Sequence, residues 1–233
     1  MRRTVITGAN RGIGLELAKQ CLAHGDQVFA GCRNPDKASD LQSLLSGFRS
    51  QLTVVPLDVA DEKSIESSQK IVSQSVDAID LLINNAARQK ESESIANITA
   101  ELMMESFKVN AMAPILVVKH YLTLLKAGDA PTVVNISSEA GSTQELKEYR
   151  ESYSYGASKA ALNMFTRTSA YELTDEKIRV IAIHPGFVHT KPSNTAAKME
   201  PPQSVSGILK VINNLKDGET DKFYTFEGAE NPW

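Results

Sequence analysis

A doubly wound α/β fold, a parallel sheet with helices on both faces, is predicted for this sequence on three observations. Seven short β-rich runs, at residues 4–7, 27–32, 52–57, 81–84, 132–137, 179–184 and 223–226, are separated by longer amphipathic stretches. The runs are nearly all apolar, as parallel strands covered on both faces must be. The first run leads into a glycine-rich turn and then a helical pattern, the order of a βαβ unit. With 233 residues, 42% hydrophobic and 23% charged, the chain is long enough to bury a sizeable core as one domain over 1–233.

Composition narrows the function. A formal net charge of -3 gives no bulk attraction to nucleic acid or anionic membrane. Cys21 and Cys32 are the only cysteines, with no Cys-x-x-Cys and no Cys/His cluster, so neither a disulfide framework nor a metal site is expected. Met1-Arg2-Arg3 runs directly into the first strand without a signal-like apolar region, and no stretch is apolar enough to span a bilayer. A cytoplasmic home, with no nucleic-acid or membrane partner, is the expectation.

Each predicted element adds a site residue. Thr4 to Gly14 reads TVITGANRGIG, a strand followed by glycines at 8, 12 and 14, then by a helical pattern ending at Gly25. Glycines let backbone N–H groups approach a pyrophosphate, and the helix N-terminus adds partial positive charge, so this turn reads as a dinucleotide cradle. Ligands of such sheets bind outside the carboxyl ends of the strands, which gives weight to whatever follows each run. Arg33 follows the second run, Asp58-Val59 the third, Asn84-Asn85-Ala86-Ala87 the fourth, Ser137-Ser138 the fifth and Pro185-Gly186 the sixth. A carboxylate at the end of the second strand would pair with ribose hydroxyls; here stands Arg33, and Arg11 lies within the glycine loop. Two guanidiniums without an acid favour a 2′-phosphate. Asp58 has a second reading as a helix cap, since Asp61-Glu62 follow it.

In the helical run SYSYGASKAALNMF, Tyr155 and Lys159 are four residues apart and share a face. An ammonium beside a phenol lowers the phenol pKa from ~10 and makes it an acid-base group, although chance also supplies this spacing. Neither Tyr149 nor Tyr153 has a lysine four residues later.

The glycines, spaced Gly-x-x-x-Gly-x-Gly, followed in order by Asp58-Val59, Asn85-Ala86, Asn110, Ser138, Tyr155-x-x-x-Lys159 and Pro185-Gly186, resemble the short-chain dehydrogenase/reductase family over essentially the whole chain. The ending FYTFEGAENPW resembles its C-factor-like branch, which is similar to small carbonyl reductases. That resemblance implies a Rossmann fold with a seven-stranded parallel sheet and an NADP(H) cofactor. It implies that Tyr155 gives a proton to the substrate carbonyl oxygen, that Lys159 tunes the phenol and holds the nicotinamide ribose, and that Asn110 holds a water linked to Lys159. Ser138 corresponds to the serine that holds the substrate oxygen, with Ser137 its rival. Gly8, Asn10, Arg11, Gly12, Ile13, Gly14 and Arg33 would hold the phosphates and the adenosine end. Asp58, Val59, Asn85 and Ala86 would line the adenosine, and Pro185, Gly186, Val188 and Thr190 the nicotinamide and pyrophosphate.

Two places depart from the family pattern. Ala87 replaces a usual glycine, and the charged stretch STQELKEYRES lengthens the separation of Ser138 from Tyr155. The segments 88–97, 142–152 and 191–202 are expected to shape the substrate pocket, the last either as a lid or as an ordinary connection. Ala157, Ala160, Ala161 and Met164 suit either a homodimer contact or a monomer's core. His184 and His189 are read as structural or exposed. The expected function is NADPH-dependent reduction of a small ketone or aldehyde; the alternative is a dinucleotide-binding signalling or interaction protein with little turnover.

Overall fold

Successive residues of each central strand enter opposite cores, and this two-residue period is why the strands carry so few polar side chains. The computed structural model describes residues 1–89, 93–147, 153–189 and 199–233. Its elements run β1 (Arg3–Thr7), α1 (Gly12–Ala23), β2 (Gln27–Cys32), the short helices α2 (Ser39–Ser43) and α3 (Leu45–Phe48), β3 (Leu52–Pro56), α4 (Glu62–Ser73) and β4 (Leu81–Asn84). They continue with α5 (Ala100–Phe107), α6 (Ala113–Lys126), β5 (Thr132–Ile136), α7 (Tyr153–Glu172), β6 (Arg179–His184), α8 (Pro201–Asn213) and β7 (Lys222–Thr225). The strands form one parallel sheet in the order β3-β2-β1-β4-β5-β6-β7.

On one face Ile6, Val28, Leu81, Val134 and Ile181 pack with Leu17 of α1 and Ile208 of α8. On the other, Val5, Phe29, Leu82, Val133 and Val180 pack with Ile65 of α4 and with Val117 and Tyr121 of α6. The Tyr121 hydroxyl, buried here, lies 3.0 Å from Ser68 Oγ, so its polar tip is satisfied. All seven predicted runs are strands, though three end one residue early. Leu57, Ser137 and Phe226 fall outside yet still donate backbone N–H bonds to Cys32, Ile183 and His184 at 2.9, 2.8 and 2.9 Å.

β1 pairs with both β2 and β4, so the chain reverses its direction of travel across the sheet at β1. The loops after β1 and β4 therefore open side by side at the carboxyl edge, where a crevice must form. At the opposite edge Asp80, 7% exposed, receives Arg3 N and Nε at 2.8 and 2.9 Å and Asp129 N at 2.8 Å. Burial alone would raise the Asp80 carboxyl; its bonds to Arg3 and Asp129 hold it below the usual range. Beyond β7, Glu230 makes an antiparallel bridge to Tyr224, and Trp233 stacks on Phe223 with centroids 5.5 Å apart. The returning tail thereby covers an edge strand that would otherwise present unpaired groups.

Candidate active site

Helix α7 crosses the carboxyl end of β5 and brings its polar face onto the strand. Lys159, 2% exposed, donates from Nζ to the Ile136 carbonyl at 2.6 Å, and its nitrogen lies 5.7 Å from the Tyr155 ring centroid. The backbone turns after β5 into a 3-10 turn, Glu139–Gly141, capped by Ser138, whose Oγ accepts from Ala140 N at 3.2 Å. The Tyr155 phenol lies near that same Oγ, close enough for the serine hydroxyl to pull its pKa down. Ser137 points the other way: it is buried and donates to Asn163 Oδ1 at 2.5 Å. Adjacent residues at a strand end face opposite sides, and the side facing Tyr155 belongs to Ser138.

The ionisation balance differs from the one read from spacing. Burial raises the Tyr155 phenol above its ordinary value, and the Ser138 hydrogen bond offsets part of that rise. Burial likewise pulls the Lys159 amine from 10.5 down to about 7. Withdrawal from water favours the neutral form of each group, and at this separation it outweighs the pull of the ammonium on the phenol.

Asn110 sits in a π-helical turn, Lys108–Met112, between α5 and α6. Single π turns are frequent at functional sites because the extra residue redirects a side chain. Asn110, fully buried, accepts from Arg88 N at 2.7 Å and donates to Arg88 O at 2.8 Å and Ser158 Oγ at 2.9 Å. Ser158 in turn donates to the Tyr155 carbonyl at 2.7 Å. The amide thus joins the loop after β4 to the helix carrying Tyr155.

The glycine turn fits a dinucleotide by what it leaves out. A Cβ on Gly14 would stand 2.2 Å from the Gly8 carbonyl oxygen and one on Gly8 2.9 Å from Ala86 Cα, while Gly8 and Gly12 have φ of +67° and +55°. Asn85 braces the turn by donating from Nδ2 to Thr7 O at 2.9 Å and Gly8 O at 3.1 Å, and Thr7 Oγ1 accepts from Ala86 N at 3.0 Å. The first turn of α1 carries no acidic residue, so its positive end is left for an anion. Asn10, Arg11 and Arg33 are exposed, and neither guanidinium makes a hydrogen bond or ion pair among the described residues. Ile13 and Val59 are partly buried against the two cores. Asp58 turns its carboxylate onto Ala60 N at 3.0 Å, whereas Asp61 is the residue that caps α4, accepting from Lys63 N at 3.0 Å. After β6, Pro185 O accepts from Ser204 at 2.6 Å and Gly186 has φ of +80°. Val188 is buried and bridged to Met199. Thr190 and Tyr149 lie outside the described residues, as do parts of the three expected pocket segments. Of the two histidines read as structural or exposed, His184 pairs through Nε2 with Glu139 at 3.3 Å, and His189 through Nδ1 with Glu200 at 3.4 Å.

Sequence reasoning missed Glu93. It is 2% exposed, and its carboxylate accepts from Ser154 N at 2.7 Å and from Ser154 Oγ, which in turn accepts from Ser106 at 3.0 Å. A carboxylate at the first turn of α7 completes both donors there and opposes the positive helix end. No local pattern announces it, because cap and helix are about sixty residues apart in the chain.

A family model described as short chain dehydrogenase matches residues 2–201. An uncharacterized oxidoreductase of Schizosaccharomyces pombe is 33% identical, the alignment covering 98% of this chain and 96% of the relative. Among solved structures, the NADPH-bound carbonyl reductase from chicken fatty liver superposes with a TM-score of 0.93 at 36% identity, covering 100% of this chain and 99% of the other. The carbonyl reductase Sniffer of D. melanogaster gives a TM-score of 0.93 at 26% identity, with both chains covered in full. Likeness of this extent, on a chain that folds as its motifs require, places the protein in the short-chain dehydrogenase family.

Proposed function

We propose that this chain, as one dinucleotide-binding and catalytic domain over 1–233, is an oxidoreductase that reduces a small ketone or aldehyde with NADPH. The carrying observation is the meeting of Tyr155, Ser138, Lys159 and Asn110 at the carboxyl edge, beside a glycine cradle flanked by two unpaired guanidiniums. The likeness to an NADPH-bound carbonyl reductase at 36% identity supports the same reading. The bound cofactor would supply hydride to the carbonyl carbon. Tyr155, neutral because it is buried, gives its proton to the carbonyl oxygen, and Ser138 stabilises the negative charge as it develops there. Lys159 holds the ribose and accepts or releases protons near pH 7. Asn110 keeps one lone pair on Oδ1 for a water that relays protons toward Lys159. Arg11 and Arg33 would hold the 2′-phosphate, Asp58 and Val59 would line the adenine, and Pro185, Gly186 and Val188 would border the nicotinamide, with Thr190, outside the described residues, assigned by the family resemblance to the pyrophosphate.

The test is a panel of small carbonyls with NADPH, following cofactor absorbance beside Tyr155→Phe. Loss of the general acid should lower turnover by about a hundredfold to ten-thousandfold with NADPH binding retained. A Phe variant as fast as wild type would refute the mechanism, and tight binding with no turnover by the wild type would establish the binding-protein alternative. Arg33→Ala should weaken NADPH roughly tenfold or more while leaving NADH unaffected, since only the charge-assisted phosphate bond is lost. An unchanged ratio of the two affinities would refute the assignment.

Among the described residues no helix is long and apolar enough to cross a membrane. The proposal places the enzyme in the cytoplasm, and a second copy of itself among its partners. Met104, Met112, Met164 and Phe165 leave an exposed apolar surface on the packed helices α5 and α7 and the π turn. Sedimentation at a single 25.4 kDa mass would exclude that dimer.

A further inference from the structure

We propose that Asn163 is a positioning residue that keeps Ser138 opposite the Tyr155 phenol. The proposal rests on the carbonyl-reduction reading and deepens it.

Tyr155, Lys159, Asn163 and Thr166 follow one another at helical spacing along a single face of α7. They meet four consecutive residues, 135–138, at the end of β5 and the start of the turn that follows it. Thr166 accepts from Asn135 Nδ2 at 2.9 Å, Asn163 accepts from Ser137 Oγ, Lys159 donates to Ile136 O, and Tyr155 faces Ser138. Asn163 alone among them grips the serine turn on both sides. Its Oδ1 takes the Ser137 hydroxyl at 2.5 Å, and its Nδ2 reaches the Gly141 carbonyl at 3.3 Å. Ser138 lies between those anchors, and its Oγ is aimed by the turn they enclose. Asn163 is 4% exposed, and the turn lies against the helix so closely that a Cβ on Gly141 would stand 2.6 Å from the Lys159 carbonyl carbon. A buried amide with both ends bonded has one orientation, so the turn's seat on α7 is defined rather than merely packed. A hydroxyl that must meet a substrate oxygen and a phenol together tolerates little displacement.

The test uses the full-length protein carrying Ser137→Ala with Asn163→Leu. Removing both partners avoids the orphaned Ser137 hydroxyl that Asn163→Leu alone would leave, so that the Gly141 carbonyl alone loses its side-chain donor. The expected result is a cooperative melt, unchanged KM for NADPH, and kcat lowered by about a hundredfold. A folded double variant with wild-type kcat would overturn the proposal. Should the wild type itself reduce nothing in the carbonyl panel, the functional reading fails and a crystal structure of the variant decides the inference separately. A Ser138 Oγ farther from the Tyr155 hydroxyl than in wild type supports it; an unchanged separation refutes it.

Discussion

Lys159 shows how a single side chain carries opposing demands. The proposed reaction places its amine beside Tyr155, yet burial lowers it from 10.5 to about 7. A base whose folded pKa is depressed binds fewer protons folded than unfolded between those two values. Stability therefore rises with pH from about 7 toward 10.5, and the cost of burying the charge is fully felt below about 7. Lys159→Met removes that cost but leaves the buried Ile136 carbonyl without its 2.6 Å donor, a loss independent of pH. The melting temperature of the variant minus that of wild type should be most favourable at pH 6 and should fall steadily toward pH 10. A flat difference across that range would show that Lys159 is not held near neutral. Tyr155, Lys159 and Ser138 were legible as candidate site residues because short motifs carry their spacing. Their protonation balance was not, since burial is a property of everything packed around them.

At the scale of elements, two turns and one helix end set the site. Gly14 lies where α1 comes down upon the glycine turn, and Gly14→Ala puts a methyl 2.2 Å from the Gly8 oxygen. The helix must then lift from the turn, so NADPH affinity should collapse while NADPH-free stability falls less; equal affinity in a titration of the variant would refute the cradle geometry. Glu93 caps α7 from across the chain through Ser154. Glu93→Ala should cost about 2 kcal/mol in urea unfolding, whereas Glu93→Gln, which still accepts from Ser154 N, should recover much of it. If both variants unfold with the same midpoint as wild type, the cap contributes nothing. The π turn at Asn110 was hidden from periodicity, because a pattern of apolar spacing continues through α5 and α6 without marking one inserted residue.

Across the whole molecule, the fold holds the glycine turn between the β1 and β4 loops and the candidate reacting groups after β5 and on α7, so a ligand spanning the carboxyl edge would tie both together. NADPH at a hundredfold excess over its dissociation constant should stabilise the folded state by about 2.7 kcal/mol, or roughly 5 to 10 °C in the melting temperature. NADH at equal concentration should do less, and equal shifts would remove the phosphate-binding role of Arg11 and Arg33. The sequence alone determined the seven strands, the parallel doubly wound sheet and the glycine turn between β1 and α1, because apolar runs, glycine placement and strand-to-helix order are local properties of the chain. Tertiary structure alone decided that Ser137 turns to Asn163 while Ser138 faces Tyr155, that Asp61 rather than Asp58 caps α4, and that Glu93 closes the catalytic helix. The serine and glutamate outcomes depend on partners far apart in sequence, whose meeting is fixed only when the sheet order and the two cores bring their elements into contact, whereas the Asp61 cap is a local bond decided by where α4 begins.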